Sequence, residues 1–253
     1  MSTKTLSWKI IALRTFGVLA VAGLVVATPF ILQREGFFKI ESVEISLNEG
    51  VMMPAWLQSE WQSMRKDALK MKGRDLWSLD MDEVVREIKA RPWVREVSLS
   101  RSWPDALVLS IDPKELKALA RAKKGALVPV LEDGTTLSAE QMTNFVSLPI
   151  FSGEITNEDP ARIKEALRLL SLFPGQGVLS IDRVSEVGFH EKEGYWILVM
   201  PFATKVRWGF GDFEKKISRV KQVMEYLDSR QIGARVIDAD LSKKVVVRLR
   251  KTP

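Results

Sequence analysis

The sequence predicts an α+β protein in which one long apolar helix precedes two further domains. Three patterns support this class: an uncharged apolar run near the amino terminus, a strand–helix–helix–strand–strand order after it, and short strands with turn signals and flanking helices in the remainder. We expect the last part to be mainly antiparallel. The predicted parts are a cytoplasmic tail at 1–14, a transmembrane helix at 15–34, a first domain at 37–112 and a second at 113–253.

The apolar run extends from Thr15 to Leu32. About eighteen such residues are at the lower end of what a helix needs to cross a bilayer. Basic residues before a span hold that side in the cytoplasm. The chain has such residues before the run, and the pattern predicts a single-pass, type II protein. The topology-determining residues are Lys4, Lys9 and Arg14.

Two other interpretations of this run are weaker. Val25-Val26-Ala27 could serve as a signal-peptide cleavage site, but the run is longer than the usual core of about seven to fifteen residues. A buried core helix would show a polar face, which the run lacks. The sequence therefore favours an uncleaved anchor.

The composition excludes several functional classes. The formal net charge is +6, yet the 38 basic residues are dispersed among 32 acidic ones, so no basic stripe indicates a nucleic-acid surface. The chain has no cysteine, which excludes disulfides and thiolate metal sites. The charge balance and the absence of cysteine remain compatible with an exported or inner-membrane protein.

The first domain begins with a strand over 43–47, where apolar and polar residues alternate. A helix follows from about Pro54, and a second helix is capped by Asp80. Arg91-Pro92 ends that helix, because proline disfavours the α conformation in the preceding residue. Two strands then flank a Trp103-Pro104-Asp105 turn.

Four segments of this domain resemble the POTRA domain of the bacterial FtsQ/DivIB cell-division family. The Pro-Trp-Val and Trp-Pro-Asp motifs are specific in combination, and we expect Trp93 and Trp103 to be core or turn aromatics. The matching segments are Phe38-Lys39-Ile40 with Val43, Gly73-Arg74-Asp75-Leu76-Trp77, Arg91-Pro92-Trp93-Val94, and Arg101-Ser102-Trp103-Pro104-Asp105.

The second domain has a hairpin signal at Asp133-Gly134 and a helix start at Asp159-Pro160. Asp212 is a candidate cap for a last helix, which precedes two terminal strands. This region resembles the carboxy-terminal β domain of the same family. The matching segments are Leu131-Glu132-Asp133-Gly134, Leu148-Pro149-Ile150-Phe151-Ser152-Gly153, Val206-Arg207-Trp208-Gly209 and Val236-Ile237-Asp238.

No catalytic constellation is evident in the sequence. His190 is the only histidine, so a two-histidine metal site is impossible, and we expect a surface role for it. Glu132 and Asp133 lie at a hairpin tip, where turn chemistry explains them. No glycine-rich phosphate loop follows a strand. The sequence predicts no catalytic, cofactor or metal residues.

The last strand is the candidate site, because a terminal β-branched strand at a sheet edge can accept an incoming strand. Val245, Val247 and Leu249 are predicted on one face, Val246 and Arg248 on the other. The resemblance implies that FtsB-like and FtsL-like division proteins bind there. The implied partner-binding residues are Asp240, Leu241, Lys243, Val245, Val247, Arg248 and Leu249.

The resemblance departs at Asp240, where family members often carry arginine, so we expect the partner to offer a basic or neutral residue there. The family implies a non-enzymatic scaffold of the divisome, at the septum of the inner membrane, whose POTRA domain contacts other division components. A membrane-anchored envelope or cell-wall enzyme remains the alternative.

Overall fold

The computed structural model describes residues 4–34, 36–48, 50–122, 125–138, 148–241 and 244–250, and within the first helix it describes the side chains of 13–28. The chain divides into two compact units. The first consists of Met1–Met52 with Trp61–Asp112, and the second of Met53–Glu60 with Pro113–Pro253.

The first unit contains a long helix and a three-stranded sheet with two shorter helices. The strands lie in the order β1-β3-β2, and β1 is parallel to β3. This is the predicted strand–helix–helix–strand–strand order. The elements are α1 Lys4–Arg34, β1 Ser42–Leu47, α2 Gln58–Leu69, α3 Met81–Lys89, β2 Val94–Ser102 and β3 Ala106–Pro113.

Helix α1 includes the whole apolar run of the sequence. Within the side chains that the structure describes, no helix meets the length and hydropathy needed for a bilayer span.

The predicted cap of α3 is confirmed. The Asp80 carboxylate accepts a hydrogen bond from the Glu83 backbone N–H at 3.0 Å, as an N-cap should. Gly73 has a φ of +83° just beyond α2, and its N–H donates to the Ile40 carbonyl. Trp93 is fully buried, whereas Trp103 lies in the β2–β3 turn and is 51% exposed.

The second unit is built on one eight-stranded sheet with two helices. The strands lie in the order β11-β10-β9-β8-β7-β6-β4-β5. The elements are β4 Leu116–Arg121, β5 Leu127–Leu131, β6 Ile150–Thr156, α4 Pro160–Ser171, β7 Val184–His190, β8 Gly194–Val199, β9 Thr204–Gly209, α5 Phe213–Ser229, β10 Ala234–Asp238 and β11 Val246–Leu249.

The sheet is mixed: four of the seven pairings between the named strands are antiparallel, so the expectation of a mainly antiparallel sheet holds only in part. The pairs β4–β6, β6–β7 and β9–β10 are parallel. Parallel neighbours need a crossover connection, and α4 and α5 provide it for the last two pairs. Neither β4 nor β6 was predicted as a strand from the sequence, so their parallel pairings were not anticipated.

Asp212 lies at the predicted N-cap position of α5, but the prediction that its side chain caps the helix is wrong. Asp212 has a left-handed φ of 49°, and its side chain makes no capping hydrogen bond. Its backbone carbonyl instead accepts from the N–H groups of Lys215 and Lys216. The apolar stripe of α5 does reach the core, where Phe213, Val220 and Leu227 are buried.

The cap of α4 is as predicted, and it gives a pH-dependent test. The Asp159 carboxylate accepts from the Arg162 N–H at 3.1 Å, and this bond, against the effect of desolvation, lowers the pKa of Asp159. We expect Asp159→Ala to cost about 1 kcal/mol of unfolding free energy at neutral pH. Asparagine caps a helix about as well as aspartate, so Asp159→Asn should retain most of the stabilisation that the cap contributes.

The pH dependence follows from the sign of that shift. A carboxyl with a lowered pKa in the folded state stabilises the protein above its unfolded pKa of about 3.9. That contribution disappears as the pH falls through the lowered folded value. The stability difference between the wild type and Asp159→Ala, measured by urea unfolding, should therefore shrink below about pH 4. A difference that grows in acid would contradict the assignment.

Candidate functional site

The two edges of the eight-stranded sheet are chemically different. Strand β5 carries Pro129, which has no backbone donor, and the Pro129 carbonyl accepts from Leu137 N–H at 3.0 Å. The chain also folds back over this edge through the Val130–Thr136 bridge. Proline and a covering segment both prevent strand addition, so the β5 edge is protected.

Strand β11 forms the other edge, and among the described residues it pairs only with β10. The pairing is antiparallel, with Val247 opposite Ile237. Arg250 N–H donates to the Gly233 carbonyl at 2.9 Å. Backbone groups alternate in direction along an antiparallel strand, so Val247 and Leu249 direct their N–H groups away from β10. This edge can accept another strand.

The side chains of β11 alternate largely as expected. Val245 and Val247 pack against the core of the unit, and Val246 and Arg248 are exposed on the other side. Leu249 departs from this pattern, because it is 55% exposed near the end of the chain. The valines therefore fix the strand to the domain, while Leu249 presents apolar surface to solvent.

A polar cleft of about 240 Å³ lies beside the exposed side of β11. Arg207 forms two ion pairs in this cleft. Its guanidinium lies 3.4 Å from an Asp238 carboxylate oxygen and 3.7 Å from a Glu193 carboxylate oxygen. Sequence reasoning missed this cleft, because its residues come from four separate strands or turns. The lining residues are Glu193, Lys205, Arg207, Val236, Asp238, Val246 and Arg248.

Asp240 belongs to a second arrangement that the sequence did not reveal. The Lys216 side chain is 7% exposed, and its ammonium donates to the carbonyls of Trp208 at 2.7 Å and Phe210 at 3.1 Å. Its third partner is an Asp240 carboxylate oxygen at 3.2 Å. Lys216 lies on α5, so this pair connects the helix to the segment after β10.

The remaining predicted site residues have simpler surroundings. Leu241 is exposed, and its carbonyl accepts from the Arg219 guanidinium at 3.3 Å. Lys243 lies outside the described residues. For Lys4 and Lys9 the structure describes the backbone, which is helical, and Arg14 is exposed.

The titratable groups with shifted pKa values all have structural partners. Burial would raise the pKa of Asp133, but hydrogen bonds from Lys114 and Thr135 outweigh it and lower the pKa. Burial, with the hydrogen bond to Glu165, raises the pKa of Tyr195. In the first unit, a hydrogen bond between Asp67 and Lys70 lowers the pKa of the carboxyl and raises the pKa of the ammonium. Within the described residues no group of acidic or histidine side chains could hold a metal ion.

Comparison with known proteins gives a consistent result. Residues 62–112 match the model of the FtsQ-type POTRA domain, and residues 118–241 match that of the carboxy-terminal domain of the cell division protein FtsQ/DivIB. The chain belongs to the FtsQ/DivIB family. Strand β11 lies just beyond the residues that the second family model matches.

Curated FtsQ/DivIB proteins resemble most of the chain. Cell division protein FtsQ of Syntrophotalea carbinolica is 25% identical over 247 residues, which cover 91% of this chain and 82% of that protein. FtsQ of Myxococcus fulvus is 30% identical over 67% of this chain and 61% of its own. Cell division protein DivIB of Bacillus selenitireducens is 30% identical over 48% and 46%. These relatives agree with the FtsQ/DivIB assignment of both units.

Proposed function

We propose that this chain is a non-enzymatic, single-pass scaffold of the bacterial divisome that captures other membrane division proteins at the septum. The similarity to proteins named for cell division supports the process. The observation that carries the mechanism is the open β11 edge, opposite a β5 edge that proline and a returning segment protect.

The proposed membrane position rests on α1. Its 31 residues span about 46 Å at 1.5 Å per residue, which exceeds the thickness of a bilayer core. Lys4, Lys9 and Arg14 precede the uncharged run, which favours a cytoplasmic amino terminus and an inner-membrane anchor. Both units then lie in the periplasm.

The proposed partners are FtsB-like and FtsL-like bitopic proteins that add a strand to β11. The outward N–H groups of Val247 and Leu249 would supply main-chain hydrogen bonds, which give affinity without demanding a particular sequence. Selectivity would come from side chains beside the added strand: Arg248 and the cleft around Arg207 on one face of the sheet, and the exposed Leu249 on the other. Other divisome components would bind the POTRA domain.

Val247→Pro tests the proposed edge. Proline removes the Val247 N–H, which points away from β10, so the substitution removes a donor needed by the partner rather than one used inside the domain. We expect the affinity for the FtsB-like partner to fall about tenfold or more, equivalent to at least about 1.4 kcal/mol. Binding is measured with the full chain in nanodiscs.

Val247→Thr is the matched control, because threonine keeps both the N–H and the β-branched shape. It should retain binding, and hydrogen exchange of β10 amides should show that both variants are folded. Unchanged affinity in a folded Val247→Pro protein would move the site elsewhere on the molecule.

A further inference from the structure

Four aromatic side chains of the first unit form one exposed cluster, which we call the aromatic cluster: Phe37, Phe38, Trp77 and Trp103. Phe38 is central, with its ring centroid 5.4 Å from that of Phe37 and 5.6 Å from that of Trp103. The two indoles are 5.5 Å apart. Phe37, Trp77 and Trp103 are 53%, 60% and 51% exposed.

The cluster is preorganised by bonds between three separate segments of the chain. Leu76 N–H donates to the Phe38 carbonyl at 2.8 Å, which joins the segment after α1 to the Trp77 loop. The Arg101 guanidinium donates to the carbonyls of Leu76 and Leu79, both at 2.8 Å, which joins that loop to β2. A rigid arrangement loses little conformational entropy when it binds.

The fold of this unit does not by itself explain why these rings are exposed to water. Trp93, in the same unit, is fully buried, so burial was available to an indole here. Contiguous apolar surface that stays exposed usually marks an interaction or membrane site. The two tryptophans favour a membrane site over a protein-binding site. Tryptophan combines a large apolar ring with a polar N–H and is enriched where membranes meet water.

The chain itself places the cluster close to the end of α1. Phe37 follows Arg34, the last residue of that helix, by three residues, which can span at most about 10 Å. The headgroup region on each side of a bilayer is about 5–8 Å thick. If α1 crosses the membrane, Phe37 cannot move far beyond the headgroups.

We propose that the aromatic cluster inserts into the outer-leaflet lipid–water interface and holds the POTRA unit against the membrane. The proposal rests on the anchoring role proposed for α1. Exposed Lys39 and Arg74 lie in the same segments as Phe38 and Trp77 and suit the phosphate level of the interface. The bound surface is lipid, and no protein partner is required.

The experiment uses spin labels on the full chain, which has no native cysteine. Ser102→Cys places a nitroxide beside Trp103, and Ser98→Cys places one four residues earlier on the same exposed side of β2, about 13 Å away. Each labelled protein is reconstituted at high dilution into phosphatidylcholine vesicles. Collision with oxygen, which partitions into lipid, is compared with collision with a water-soluble nickel chelate.

We expect the Ser102 label to be protected severalfold from nickel and the Ser98 label to remain accessible. Trp77→Gln should abolish most of that protection, and it is expected to fold because Trp77 is exposed in a loop. The double change Trp77→Gln with Trp103→Gln should abolish the rest. Hydrogen exchange of β2 and β3 amides checks that each variant is folded.

Flotation of the vesicles separates this proposal from the anchor proposal. A chain that does not float with the vesicles after an alkaline wash has no anchor, and the function proposed above fails. A chain that floats but leaves the Ser102 label accessible to nickel keeps its anchor and overturns the interfacial role. Protection that appears only at high protein density would mean that copies of the chain cover the cluster, and that result also overturns it.

Discussion

Trp93→Ala should destabilise the first unit by about 3–5 kcal/mol, the range for removing a large aromatic from a packed core. Trp93 is 0% exposed and lies directly before β2, with Leu107 and Leu109 of the neighbouring β3 also fully buried. The substitution leaves a cavity in the core, and incomplete collapse around such a cavity adds to the loss of stability.

Hydrogen exchange measured by mass spectrometry can assign that loss to the correct unit. Amides of β2 and β3 should exchange about a hundredfold faster or more, since each 1.4 kcal/mol is a factor of ten. Amides of the eight-stranded sheet should change little. Trp77→Ala is the matched control, because it removes the same side chain from an exposed position. Equal effects of the two substitutions would show that Trp93 does not hold the core together.

Asp240→Arg should destabilise the second unit by about 1–2 kcal/mol, because a charge-assisted hydrogen bond to the nearly buried Lys216 ammonium is lost from a carboxylate that is itself half exposed. The Asp240 carboxylate lies in the space where Gly209 has no side chain, and it contacts Lys216. An arginine there must leave this space and places a second positive charge beside the lysine.

The sequence alone assigned Asp240 to the implied partner-binding site, and the contact with Lys216 became evident only from the structure. Leu241→Arg is the control, since it places an arginine at the next residue, which is exposed. It changes the net charge by one unit, whereas Asp240→Arg changes it by two. The free energies of unfolding of the two variants, measured in urea, should differ by most of the loss predicted for Asp240→Arg. If Asp240→Arg is as stable as Leu241→Arg, the pair with Lys216 contributes nothing measurable.

Local signals in the sequence predicted much of the fold. Asp80 and Asp159 were recognised as helix caps because a cap and its N–H partner lie within three residues. The β-branched run Val245-Val246-Val247 predicted β11. Asp212 was assigned wrongly because its left-handed backbone depends on the path of the chain from β9 rather than on its own side chain.

The sequence by itself determined the order of elements in the first unit, the uncharged run of α1 and the family resemblance, because each depends on neighbouring residues or on short motifs. Only the tertiary structure decided which edge of the sheet is open, since that depends on Pro129 and on a segment folding over β5. It also placed Lys216 under Asp240 and Trp77 beside Trp103. Those contacts join residues more than twenty positions apart, and their formation depends on packing that no local pattern encodes.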